Sequence, residues 1–262
     1  FQQLYSMVDT IIVGRFLGVP ALAAVGSTGS LSFLVLGFVM GITSGFSVLA
    51  AQRFGAGDER GLRHFVAMSV YLGLIISIVL TVLTICLTKP MLRLMNTPED
   101  IFYDAAIYII IIFAGILPTM FYNLLAGVLR ALGDSKTPLY FLIISSVLNI
   151  VLDLFFIVTL KLGVAGAAYA TVISQAVSAV LCFIYIRKKF PILKFQREEL
   201  PFRFASACQL MRVGIPMALQ FSITAIGTMI LQGAINSLGS TVVGAYTAAC
   251  KAEQLATQPM VT

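Results

Sequence analysis

Long charge-free stretches constrain this chain more than any other feature. Residues 64–88, 105–129 and 162–186 each lie between charged side chains: Arg63 and Lys89, Asp104 and Arg130, Lys161 and Arg187. Each matches the roughly 20 apolar residues that carry a helix across a bilayer. Two longer gaps, 16–52 and 213–250, are divided by turn signals, Gly18-Val-Pro20 and Leu238-Gly239-Ser240. Only 11% of the residues are charged, where a soluble domain carries roughly 25%. The chain therefore reads as an all-α membrane protein, a polytopic helical bundle.

Span 1 is expected at about 1–16 and span 2 at about 21–51, where Gly37, Gly41 and Gly45 repeat at the spacing that lets two helices pack closely in lipid. Span 3 is expected at about 65–87. Span 4 (105–129) contains Pro118, which removes a backbone hydrogen bond and predicts a kink. Span 5 (138–160) holds Asn149-Ile-Val-Leu-Asp153, and span 6 ends at Arg187-Lys-Lys189. Spans 7 (209–236) and 8 (from 242) follow. The glycine-rich segment 52–60 lacks the Gly-Lys-Ser/Thr ending of a phosphate loop and reads as solvated. The chain begins at Phe1 and its last residues still read as helix, so a fragment cut at both ends is expected.

Charge sets the orientation. The loops 52–63, 130–137 and 187–212 together carry twelve of the 17 Lys and Arg residues, and the positive-inside rule makes that side cytoplasmic. The formal net charge of +6 thus belongs to membrane topology, and no nucleic-acid partner is expected. Leu17-Gly18 and Leu238-Gly239 begin similar stretches 221 residues apart, an offset that holds six spans. That predicts a parallel pseudo-repeat. One complete six-helix lobe (1–186), a basic cytoplasmic connector (187–208) and the first two helices of a second lobe (209–262) are expected.

Counting inward from the extracellular turns brings distant residues to one level. Asp9 lies nine residues before Gly18, Asp153 eight before Lys161, and Thr171 eight after Gly163. At 1.5 Å per residue each is roughly 12–14 Å deep. Asn149 is one turn deeper, on the same helix face as Asp153. Two carboxylates, an amide and a hydroxyl suit a hard cation such as Na⁺. They also suit proton exchange, because like charges so close do not both ionise in a desolvated site. The alternative is that both Asp residues cap or snorkel near the surface while Thr171 bonds a backbone carbonyl. The cysteines are scattered singly without disulfide or zinc spacing, and no nucleophile constellation marks an enzyme. His64, at a loop edge, reads as solvated.

Val8-Asp9-Thr-Ile-Ile-Val-Gly14, Gln52-Arg-Phe-Gly-Ala-Gly-Asp58, Leu129-Arg-Ala-Leu-Gly-Asp-Ser-Lys-Thr-Pro138, Asn149-Ile-Val-Leu-Asp153 and Gly163-Val-Ala-Gly-Ala-Ala-Tyr-Ala-Thr171 together resemble the multidrug and toxic compound extrusion (MATE) family. The resemblance implies twelve helices in two lobes in the cell membrane. It also implies an alternating-access antiporter, without cofactor, that exports amphipathic cations against inward Na⁺ or H⁺, a monomer at full length. The family's first-lobe cation site maps onto Asp9, Asn149, Asp153 and Thr171. One branch carries an acidic residue eight positions after the Pro of helix 7, where this chain has Thr224. Lys251 and Glu253 in span 8, and the rings of Tyr122, Phe155 and Phe156, are candidates for the substrate cavity. Two other readings are a lipid-linked sugar flippase, which would line its cavity with basic residues where these spans offer only Lys251, and a multi-helix receptor, which would need no paired carboxylates.

Overall fold

A chain this apolar must satisfy its backbone polar groups internally when it lies in lipid, which leaves helices as the natural solution. The computed structural model describes residues 2–194 and 199–261, with side-chain environments for 8–194 and 199–253. Every regular element among them is helical. Arg197 of the expected connector lies outside the described residues.

Helix α1 (Gln2–Leu17) turns at Gly18 into α2 (Val19–Ser27), and Thr28 separates α2 from α3 (Gly29–Gly55). One continuous span from 21 to 51 was the expectation. The break falls where Ser27 and Thr28 donate their hydroxyls to the carbonyls of Ala24 and Val25, at 2.9 and 2.7 Å. Such back-bonding competes with the helix ladder, and the Thr28 N–H reaches back only three residues to Val25.

Helix α4 (Glu59–Leu94) is longer at both ends than expected. Asp58 caps it, accepting from the Gly61 N–H at 2.8 Å, so the loop before it shrinks to Ala56–Asp58. Helices α5 (Glu99–Ala114) and α6 (Ile116–Ala131) meet at Gly115 with a 46° bend. Pro118 lacks the N–H that would bond Ala114, so the bend falls just before it.

Helix α7 (Lys136–Leu154) ends in a π-helical turn, Phe155–Thr159, where a regular helix to 160 was expected. Helix α8 (Val164–Lys189), a 3₁₀ turn (Pro191–Leu193), α9 (Phe204–Asn236) and α10 (Ser240–Val261) complete the chain. The connector outside regular helices is therefore shorter than 187–208. Gly18 and Gly239, at corresponding places in the proposed repeat, share positive φ values of 87° and 95°, a conformation open to glycine without a Cβ penalty.

Among the described residues, five helices are long and apolar enough to cross a membrane, or six if α5 and α6 count as one bent span. Eight spans were expected. Helix α1 has only 16 residues, and α10 is diluted by Thr, Gln, Lys251 and Glu253. Helix α4 turns apolar side chains outward: Val79 is 57% exposed and Val82 59%. That is the face a bilayer covers, and the chain is a multi-pass membrane protein.

Helix α3 packs against α4, α6 and α9. A Cβ on Gly41 would lie 2.5 Å from the Ala218 Cα, and one on Gly45 2.5 Å from the Gly214 Cα. The repeated glycines thus let α3 meet the α9 backbone, the close packing their spacing suggested.

At the basic end of the molecule, Arg63 Nε donates to both carboxylate oxygens of Glu199 at 2.8 Å. Its Nη1 reaches Glu59 at 3.4 Å and the Ile192 carbonyl at 3.2 Å. His64 is not a solvated loop residue. It sits half-buried in α4, with Nδ1 2.9 Å from the Glu199 carbonyl oxygen and Nε2 2.9 Å from Ser206 Oγ. Side chains from α4 thereby hold the connector and the start of α9, a tertiary pairing across more than 130 residues.

Candidate functional site

Three helices converge on the buried polar group. Asp9 comes from α1, Asn149 and Asp153 from successive turns of one face of α7, and Thr171 from α8. Asp9 is 6% exposed and Asn149 and Asp153 are fully buried. The carboxyl groups of Asp9 and Asp153 lie within hydrogen-bonding reach of each other. With its amide nitrogen turned toward the carboxyl, Asn149 donates to Asp153 Oδ2 at 3.2 Å and accepts from the Thr171 N–H at 3.3 Å. The Thr171 hydroxyl is 3.5 Å from the same amide. The four residues counted to a similar depth therefore meet in space, and neither carboxylate reaches the surface.

Charge arrives from α10. Lys251 is near enough to Asp9 for each to feel the other's charge. Glu253 is exposed and lies beside Tyr246 instead.

The arrangement has a definite chemical capacity. One oxygen of each carboxyl, Asp9 Oδ1 and Asp153 Oδ1, is buried without a hydrogen-bond donor. Burying an unpaired carboxylate is costly, and two side by side cost more. A proton shared between them, or a hard cation held by both with the Asn149 amide and the Thr171 hydroxyl, relieves that cost. Among the described residues no three His, Cys, Asp or Glu side chains cluster.

Next to Thr171 is a small cavity of about 80 Å³ that it shares with Tyr122, Thr119, Asn123 and Gln175. The Tyr122 hydroxyl donates to the Pro138 carbonyl at 3.3 Å, leaving the ring on the cavity wall. Phe155 and Phe156 do not join it. Phe155 is 47% exposed, and Phe156 packs on Gly166, where a Cβ would come within 3.1 Å of it. Sequence reasoning missed Gln175, whose buried Oε1 has no hydrogen-bond partner. Its signal was its place one turn after Thr171 on the same face of α8. Thr224 gives its hydroxyl to the Gln220 carbonyl at 3.3 Å.

A bundle of apolar helices around a buried carboxyl pair defines the class as polytopic membrane proteins. The MatE family model matches residues 1–155. The chain is 33% identical over 258 residues to the probable multidrug resistance protein YpnP of Bacillus subtilis, covering 98% of this chain and 58% of that protein. It is 36% identical over 253 residues to YoeA of the same species, covering 94% of this chain and 54% of that protein. A solved inward-facing MATE family multidrug resistance transporter superposes with a TM-score of 0.91 at 30% identity, over 99% of this chain and 59% of that one. An outward-facing structure described in the same terms gives 0.86 at 28% identity, over 99% of this chain and 58% of that one. The chain belongs to the MATE family of transporters. It spans a little over half the length of the relatives it matches.

Proposed function

We propose that the chain forms the coupling half of an antiporter that exports amphipathic organic cations by alternating access, driven by Na⁺ or H⁺. The observation that carries this reading is the buried Asp9–Asp153 carboxyl pair, with one oxygen of each lacking a donor. A cation or proton entering there removes one negative charge from the pair. Asp9 then attracts Lys251 less, and the contact between α1 and α10 loosens. The equilibrium between inward- and outward-facing arrangements shifts by as much as the ion prefers one of them. The chain's greater similarity to an inward-facing relative fits the state in which Lys251 and Asp9 feel each other's charge.

In this reading residues 1–186 are one lobe, 187–208 its link, and 209–262 the opening of a second, so transport belongs to the full-length monomer. The substrate enters where Tyr122 presents its ring, an attractive surface for a cation. Several relatives bear the name multidrug resistance protein, which supports small-molecule export as the task. Ethidium efflux by the full-length protein, with Na⁺ and pH gradients imposed separately, tests the reading. Asp9→Asn and Asp153→Asn should each abolish gradient-driven efflux while leaving the protein in the membrane. Wild-type efflux from either variant would overturn it.

A further inference from the structure

A groove lies away from the carboxyl pair, at the basic end. Helix α6 packs against both α4 and α8 and forms its floor with Phe121 and Leu125, while Val66 and Val70 of α4 and Phe183 and Ile186 of α8 form the walls. The 3₁₀ turn Pro191–Leu193 touches α4 and α8 and closes one end. The enclosed volume is about 570 Å³, and nine of its eleven lining residues are apolar. The other two are Arg187 and Lys194.

Both cations are exposed, and none of the ion pairs among the described residues involves either. The Arg187 guanidinium lies 5.8 Å from the centre of the Phe183 ring, which steadies it above the groove. A cationic substrate would be repelled at this mouth. A free inorganic anion would leave the apolar volume beneath it unfilled. The chemistry that satisfies both parts is one molecule with an apolar tail and an anionic head, on the side where the positive-inside rule puts the cytoplasm. That leaflet is where anionic lipid concentrates, and basic sites between helices there suit its head groups.

We propose that this groove binds one anionic phospholipid of the cytoplasmic leaflet, with an acyl chain between α4 and α8 on the floor of α6 and the phosphate on Arg187 and Lys194. The lipid would join α8, the connector and α4 at the place where Arg63 and His64 also hold the connector.

Native mass spectrometry of the full-length protein in detergent, titrated with phosphatidylglycerol or phosphatidylcholine of the same chains, tests the assignment. The wild type should hold one phosphatidylglycerol more tightly than phosphatidylcholine, and Arg187→Gln with Lys194→Gln should weaken phosphatidylglycerol roughly tenfold to thirtyfold. Val70→Phe, which fills the groove and keeps both cations, should weaken the two lipids alike. Inorganic phosphate should not displace the lipid. Equal retention of the two lipids by the wild type, undiminished phosphatidylglycerol in the charge variant, or displacement by inorganic phosphate would each overturn the proposal. The charge variant removes only exposed side chains, so its result stands even if Val70→Phe fails to fold.

Discussion

Gly26 of α2 lies so close to Thr247 of α10 that a Cβ on the glycine would overlap the threonine side chain. Further contact follows from the same approach: a Cβ on Gly244 would lie 2.9 Å from a methyl of Val19 and 3.8 Å from the Ala23 Cβ. This seam is on the side opposite the basic loops. It is where the first helices and α10 close against each other.

Gly26→Val should therefore force the seam open. Overpacking costs about 1–3 kcal/mol, enough to move a two-state equilibrium roughly tenfold or more. The check is labelling of a cysteine placed at Val243, buried in the wild type, by a membrane-impermeant maleimide in a background without the four native cysteines. Labelling should rise about tenfold and efflux should fall. Unchanged labelling would show that the seam does not gate access.

Asn149→Leu is isosteric enough to stay in the helix but removes the donor to Asp153 and the acceptor for the Thr171 N–H. Leaving such buried groups unpaired costs about 1–3 kcal/mol. Thermal unfolding in detergent should show that loss, and a stability equal to wild type would mean the amide does not bridge α7 and α8.

The Arg63–Glu199 pair is nearly buried, with side chains 10% and 8% exposed. Removing one partner strands the other, which costs about 3–5 kcal/mol, whereas replacing both with apolar residues of similar size is often neutral. Arg63→Met should destabilise strongly, and Arg63→Met with Glu199→Leu should recover most of the loss. A double-mutant cycle on unfolding midpoints measures the coupling. Additive effects would show that the pair does not act as a unit.

Much of the polar group was legible before any coordinates because helix rise is constant. Depth along each span is then arithmetic, and Asp9, Asp153 and Thr171 could be levelled by counting from Gly18, Lys161 and Gly163. The kink before Pro118 was legible for a similar local reason, a missing N–H. Local rules also explain where the reading fell short. The break at Thr28 depends on two hydroxyls turning inward together, and Phe155 and Phe156 lie in a single wide turn that no residue type announces.

Sequence by itself determined that the chain is helical and membrane-embedded, and which side chains carry charge or hydrogen bonds at a shared depth. Those properties follow from hydrophobicity and the fixed geometry of a helix, and lipid enforces them residue by residue. Only tertiary structure decided that α1, α7 and α8 touch, that Lys251 and Asp9 feel each other's charge, that Gln175 lines the cavity and that His64 spans Glu199 and Ser206. Depth is one coordinate. The rotation of each helix about its axis, and its choice of neighbour, come from packing between side chains far apart in the chain, where a glycine such as Gly45 acts through what it allows Gly214 to approach.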